Sequence, residues 1–214
     1  HELLAPSKAF PTFNREARDL FVQRKYREAI LAYPRDARTE CRVLHQLAQD
    51  RTYRDAFLSL DETTIRFYLT AFQSAVFNAV LDARLANNTF ATLSEGDVAL
   101  KHENHAVFAV KSESGTGFQP VPTAPPIDHH SLADRLATFD ISPSGPMWGS
   151  SMLRAQGAIG TLEDAALANF AVTPADLARH DTQSRYPLEG KRRPLRVPIT
   201  DPEIEGGVDE HGPY

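Results

Sequence analysis

The chain has 214 residues, 42% of them hydrophobic and 24% charged, and its 23 basic and 28 acidic residues give a formal net charge of −5. That length buries a real core in one large domain or two small ones. No window approaches about 18 uninterrupted apolar residues, which excludes a transmembrane helix, so no membrane partner is expected. The single cysteine, Cys41, excludes an internal disulfide and any Cys-based zinc cluster, and one free thiol is consistent with a reducing compartment.

Residues 1–92 carry 13 basic and 11 acidic residues, net +2, while residues 93–214 carry 10 and 17, net −7. Asp201, Glu203, Glu205, Asp209 and Glu210 concentrate acid in the tail. An acidic average therefore does not exclude a nucleic-acid partner if arginines gather on one face. The chain opens His-Glu-Leu-Leu, without Met and without a signal pattern, which fits a processed chain, a fragment of a larger protein or an engineered piece of one.

In chain order, Asn14 is placed to cap a helix through Arg15–Arg27, with Ala17, Leu20 and Phe21 on one side. Tyr26 to Leu31 continues or restarts it until Pro34. Helical spacing then recurs at Val43, Leu44 and Leu47, and at Tyr53, Ala56, Phe57 and Leu60, as short αα-hairpins. The strongest helix spans 61–86, where Ile65, Leu69, Phe72, Val76, Ala79 and Ala83 form one apolar stripe closed by Asn87-Asn88. Segments 97–101 and 105–111 read as a β-hairpin. Residues 112–130, rich in Ser, Gly and Pro, read as a loop, and Ser131 with Asp134 opens a helix to 137. The FDISPSGPMWG stretch, 139–149, reads as turn-rich and apolar. Thr161 is expected to cap a helix to about Phe170, and Thr173-Pro174 to open another. Leu195, Val197 and Ile199 alternate with Pro194, Arg196 and Pro198 as an edge strand over 194–199.

Among chemistry-bearing constellations, His102, Glu103 and His105 look at first like metal ligands, but the two histidines sit in a tight turn and no third or fourth ligand follows at a usual spacing; His129-His130 fares no better. No nucleophile elbow, dinucleotide fingerprint or Walker loop occurs. No metal and no cofactor are expected. Lys191-Arg192-Arg193 is the densest basic run, expected on a loop where each cation can meet a phosphate, with Arg154 and Arg185 as companions if the fold brings them near. Gln73, Ser74 and Asn78 are polar groups on or beside the most apolar helix. They are expected to bridge neighbouring loops, the alternative being a polar lining for an RNA-facing cleft.

TAFQSAVFNAVLDARL, residues 70–85, resembles the TruD-type tRNA pseudouridine synthases, whose helix reads approximately A-x-Q-S-x-x-F-N-x-x-L-x-x-R. Ala71, Gln73, Ser74, Phe77, Asn78, Leu81 and Arg84 match it. Further likenesses follow in the family's order: Gly96-Asp97-Val98-Ala99-Leu100 with Ala106-Val107-Phe108, then Ile141-Ser142-Pro143-Ser144-Gly145-Pro146 with Gly149, then Arg192-Arg193-Pro194-Leu195 and Asp209 to Tyr214.

The resemblance implies an isomerase that converts uridine to pseudouridine in tRNA without metal or organic cofactor, using a catalytic Asp. That Asp sits in a G-x-K-D-type motif which these 214 residues lack, as they lack the N-x-F-G-x-Q-R-F-G motif and the terminal L-P-x-G-x-[YF]-A-T strand. By resemblance, then, the chain is the family's insertion domain, which packs across a cleft from the catalytic domain and clamps RNA. No residue here is assigned a catalytic role, and the chain alone is expected to be inactive.

The expected fold is α+β, a helical first half packed on a small mixed or antiparallel sheet. Residues 1–64 are a helical hairpin region; 65–214 are the insertion-domain core, with the Pro-rich loop at 112–130 and an acidic connector at 200–214. Lys191, Arg192, Arg193 and Arg154 are the expected RNA contacts. Gln73, Phe77, Asn78, Pro143, Gly145 and Pro146 are the structural motif, with Gln73 and Asn78 holding the helix against 141–149. The expected partners are tRNA and the catalytic domain of the same enzyme, in the cytoplasm. The competing reading is a free-standing helical protein-interaction module.

Overall fold

The computed structural model describes residues 4, 12–111, 131–203, 206–209 and 212–213. Two compact units divide the chain between Ala71 and Phe72.

In the first unit, helices α1 (Arg15–Val22), α2 (Tyr26–Ala32), α3 (Arg38–Leu47) and α4 (Tyr53–Leu58) follow one another, each packed on the next. Their apolar positions supply the buried residues Phe21, Ala29, Val43, Leu44, Leu47 and Ala56, joined by Leu60 after α4 and Ile65 from α5 (Glu62–Ala86). The sequence anticipated a helix over Arg15–Arg27 that continues or restarts at Tyr26, and a new helix does start there. The first helix stops at Val22, and the chain reverses through Arg24 in the left-handed region, φ 60°. Asn14 is itself left-handed and its side chain makes no cap; its carbonyl accepts the Arg18 amide at 3.0 Å. Thr52 caps α4, its Oγ1 accepting the Asp55 amide at 3.1 Å.

Helix α5 enters the second unit at Phe72. There β1 (Val98–Lys101), β2 (Val107–Ala109), β3 (Ile141–Met147) and β4 (Lys191–Pro194) form an antiparallel sheet in the order β2-β1-β3-β4. Helices α6 (Leu132–Ala137), α7 (Gly157–Ala168) and α8 (Pro174–Gln183) complete the unit, with a short ladder of β5 (Val208–Asp209) and β6 (Gly212–Pro213). The fold is α+β, with eight helices and one four-stranded antiparallel sheet among the described residues. No helix among them is long and apolar enough to cross a membrane.

The 97–111 hairpin and the helix starts at Ser131 and Thr173-Pro174 stand where the sequence placed them, both helices opening with a capping box. Three segments differ. The stretch read as turns, 141–147, is a wholly buried central strand between β1 and β4. Helix α7 begins at Gly157, so Thr161 is not its cap; its hydroxyl donates to the Gly157 carbonyl one turn back at 3.1 Å. The edge strand is the basic run 191–194 itself, not 194–199, and Val197 and Ile199 are exposed. The Pro-rich stretch 112–130 lies outside the described residues.

Candidate functional site

Side chains alternate faces along a strand, and this settles what each cation of the basic run does. Strand β4 pairs Lys191 with Met147, Arg192 with Pro146 and Arg193 with Gly145. Lys191 and Arg193 share one face and are exposed. Arg193 lies over the Phe77 ring of α5, its guanidinium carbon 5.4 Å from the ring centroid. A guanidinium resting on an aromatic face is held in place while its edges stay open to a planar acceptor.

Arg192 points the other way. Its side chain is 1% exposed and its guanidinium meets Glu163 of α7 in a bidentate pair, Nη1 to Oε2 at 2.9 Å and Nη2 to Oε1 at 2.7 Å. Nε donates to the Ser144 hydroxyl at 3.0 Å and Nη2 to the Ser144 carbonyl at 2.5 Å. The expectation that Arg192 contacts phosphate is therefore corrected: a guanidinium this buried and this fully bonded has no donor to offer a ligand. Burial pushes the Glu163 carboxyl above its ordinary range, and the hydrogen bonds and charge of Arg192 act against that rise.

Arg154 lies over the Trp148 ring, 5.2 Å from its centroid, and its guanidinium is paired with Asp164. Trp148 follows Met147, the partner of Lys191, so Arg154 neighbours the same end of the β3–β4 ladder. Arg185 lies over Tyr186 at 5.9 Å.

The motif residues are the framework behind this edge. Gln73 Nε2 donates to the carbonyls of Trp148, at 2.8 Å, and Glu189, at 2.9 Å, tying α5 to the ends of β3 and β4. Asn78 does not share that task; it is exposed on another face of the helix. Phe77 packs with Met147 and Leu195. Gly145 makes room for that packing: a Cβ there would come within 2.8 Å of both Phe77 Cε2 and Leu195 Cδ2. Pro143 pairs with Ala99 and Pro146 with Arg192 in the buried strand β3. Gly149 is tighter still, since a Cβ on it would fall on the Gly190 amide and the Leu188 carbonyl, both backbone. Gly149→Ala is expected to cost about 1–3 kcal/mol, read by chemical denaturation, because a backbone cannot swing aside as a side chain can.

The burial of three charges, Arg84, Asp97 and Glu163, was not read from the sequence. Arg84, 1% exposed, forms a bidentate pair with Asp97, Nη1 to Oδ1 at 2.8 Å and Nη2 to Oδ2 at 3.1 Å. Its other contacts are the carbonyls of Thr89 and Thr92. The available signal was position: Gln73, Phe77, Val80 and Arg84 step by four, three and four along one buried line. Glu163 gave a similar signal, lying on the buried face of α7 with Ile159, Ala166 and Leu167.

Among the described residues no group of three or more His, Cys, Asp or Glu side chains is arranged to hold a metal ion. His102 instead shares a hydrogen bond of 2.7 Å with the Ser142 hydroxyl.

The family described as tRNA pseudouridine synthase D (TruD) matches residues 3–211. A tRNA pseudouridine synthase D of Geobacter metallireducens is 34% identical over 205 residues, 95% of this chain and 46% of that protein. One from Geobacter sp. strain M21 is 36% identical over 178 residues, covering 83% of this chain and 39% of that protein. The solved structure of a putative tRNA pseudouridine synthase D from Methanosarcina mazei superposes with a TM-score of 0.66 at 20% identity, over 98% of this chain and 46% of that one. The chain thus spans less than half the length of each of these relatives.

Proposed function

The chain belongs to the tRNA pseudouridine synthase D (TruD) family, and from that membership we propose that it is the RNA-binding, cleft-forming insertion domain of an enzyme converting uridine to pseudouridine in tRNA. In this reading residues 65–214 are the inserted core, 1–64 a helical hairpin region before it, and 200–214 an acidic connector to the catalytic domain of the same cytoplasmic enzyme. The catalytic Asp belongs to that other domain, which pairs with this one around the RNA without a cofactor or metal.

The observation that carries the reading is the β4 edge. Lys191 and Arg193 stand exposed on β4, the edge strand of the sheet among the described residues, and Arg193 is braced by Phe77. Cations so placed meet phosphate oxygens without reading sequence, which suits a domain that clamps a folded RNA. Arg154 is the third contact, weaker because Asp164 already neutralises it.

The test is tRNA binding by the chain across a salt series. Removing both phosphate contacts in K191A/R193A should weaken affinity and make the slope of log affinity against log salt shallower by roughly one per contact. Absence of tRNA binding at low salt would sink the reading.

A further inference from the structure

The first unit holds a cleft of about 720 Å³ that the family motifs do not touch. It is lined from the α1–α2 turn by Arg24, Lys25, Tyr26 and Arg27 and from the α3–α4 turn by Arg51 and Tyr53. Its volume falls within the roughly 300–1,000 Å³ of ligand clefts. All four cations are exposed and, among the described residues, none is in an ion pair. Two carboxylates, Glu28 and Asp50, also line the cleft, leaving it net positive.

The aromatic part is ordered. The Tyr26 and Tyr53 hydroxyls are 3.5 Å apart. Both rings rest against buried Phe21, with centroids 6.1 and 6.4 Å from it. Phe21 therefore fixes two tyrosines side by side at the mouth of a basic cleft, while about half of Tyr53 stays open to solvent (51% exposed).

The turns that form the cleft are also unusual. Helix α1 ends with the Lys25 amide on the Leu20 carbonyl and α3 with the Arg51 amide on the Gln46 carbonyl, the closure in which glycine usually takes the left-handed position. Here Arg24, φ 60°, and Asp50, φ 59°, take it. Both helices end in this costlier form and in doing so carry charged side chains to the rim.

We propose that this cleft is a second RNA-contact site, separate from the β4 edge, in which Arg24 and Arg51 take backbone phosphates and the Tyr26–Tyr53 pair stacks an unpaired base. The inference rests on the RNA-binding reading above. An alternation of cation and ring fits a nucleotide chain, which presents a phosphate and a π-face at every repeat. A phosphorylated peptide would use the cations and leave the rings idle.

The experiment measures binding of an unmodified tRNA transcript to the full chain over a salt series, for the parent and four variants, with thermal melting to confirm folding. Arg24→Gly relieves the left-handed residue while removing its charge, so R24G/R51A is expected to fold. It should bind at least about fivefold more weakly, with a salt slope shallower by about two. Y26L/Y53L should lose comparable affinity with the slope unchanged, because stacking releases no counterions. Y26F/Y53F, which keeps the rings, should bind like the parent. K191A/R193A provides the separation. If it weakens binding and R24G/R51A does not, the cleft is overturned and the β4 edge stands. If R24G/R51A alone weakens binding, the cleft stands and the edge falls. Y26F/Y53F as weak as Y26L/Y53L overturns the stacking role, and a parent chain that binds no tRNA overturns both sites.

Discussion

Arg192→Met lowers the stability of the chain by about 3–5 kcal/mol, because it leaves Glu163 buried without its counter-charge. Ser144 loses the two bonds it shares with the guanidinium as well. The loss depends on pH in a direction opposite to that of an ordinary surface carboxylate. Burial raises the folded-state Glu163 value above the unfolded one. A raised acid contributes stability that is fully present below the unfolded value, about 4.3, and is lost as pH rises through the folded value. Without Arg192 the opposing pull is gone, the folded value climbs further and the loss widens towards neutral pH. Denaturation of the parent and R192M in parallel, at pH 5 and at pH 7.5, should show the gap narrower in acid. The difference between them cancels the carboxylates they share, including Asp61 and Asp176, whose values are lowered by their Thr64 and Thr173 hydrogen bonds. R192M/E163Q should recover much of the loss, since a neutral amide is far cheaper to bury than a lone carboxylate. A gap that is the same at both pH values would overturn the assignment.

Arg84→Met is the second large effect, again about 3–5 kcal/mol, and its cause is distributed differently. Asp97 is fully buried and would keep only weak company, a 3.3 Å bond from the Ser94 amide. The Thr92 carbonyl would lose its guanidinium donor, and the Thr89 carbonyl, which now meets the same nitrogen, would keep only the Thr92 amide and hydroxyl. The turn between α5 and β1 is organised by that one group, so protection of its amides from hydrogen exchange should fall beyond what the global loss explains. Arg84→Lys should rescue little: an ammonium cannot span both Asp97 oxygens and two carbonyls at once. Wild-type-like stability of R84K would show that charge alone, and not the planar fork, is what the site requires.

What the sequence disclosed divides along physical lines. Period and capping were local signals, and α5, the β1–β2 hairpin and the Ser131 and Thr173 helix starts were legible from them. Strand β3 was not. Pro143, Gly145 and Pro146 argue for a turn on propensity, and proline is ordinarily confined to sheet edges. Here Gly145 is required by the closeness of Phe77, and the strand is central because β1 and β4 flank it. Those are facts of tertiary packing that no local window contains. The same holds within the basic run. Lys191, Arg192 and Arg193 look alike in sequence, and only the pairing with β3 and the presence of Glu163 behind it separate one structural arginine from two surface cations. Alternation over 194–199 misled in the other direction, since it matched a strand pattern where Val197 and Ile199 have no face to cover.

Strand β4 carries a hidden ambiguity. Arg192 and Arg193 are chemically identical neighbours, so a shift of one residue would set Arg193 against Glu163 and present Arg192 outward, while turning Lys191 to the buried face. The pair with Glu163, taken by itself, therefore does not choose between the two registers. The ambiguity is lifted by an apolar residue outside the basic run: Leu195, whose amide donates to the Pro143 carbonyl at 2.9 Å and whose side chain packs with Phe77 and Met147. A slipped strand would turn that side chain to the opposite face. The choice of which arginine meets solvent is thus made by a leucine, a case of one local preference removing the frustration left by another.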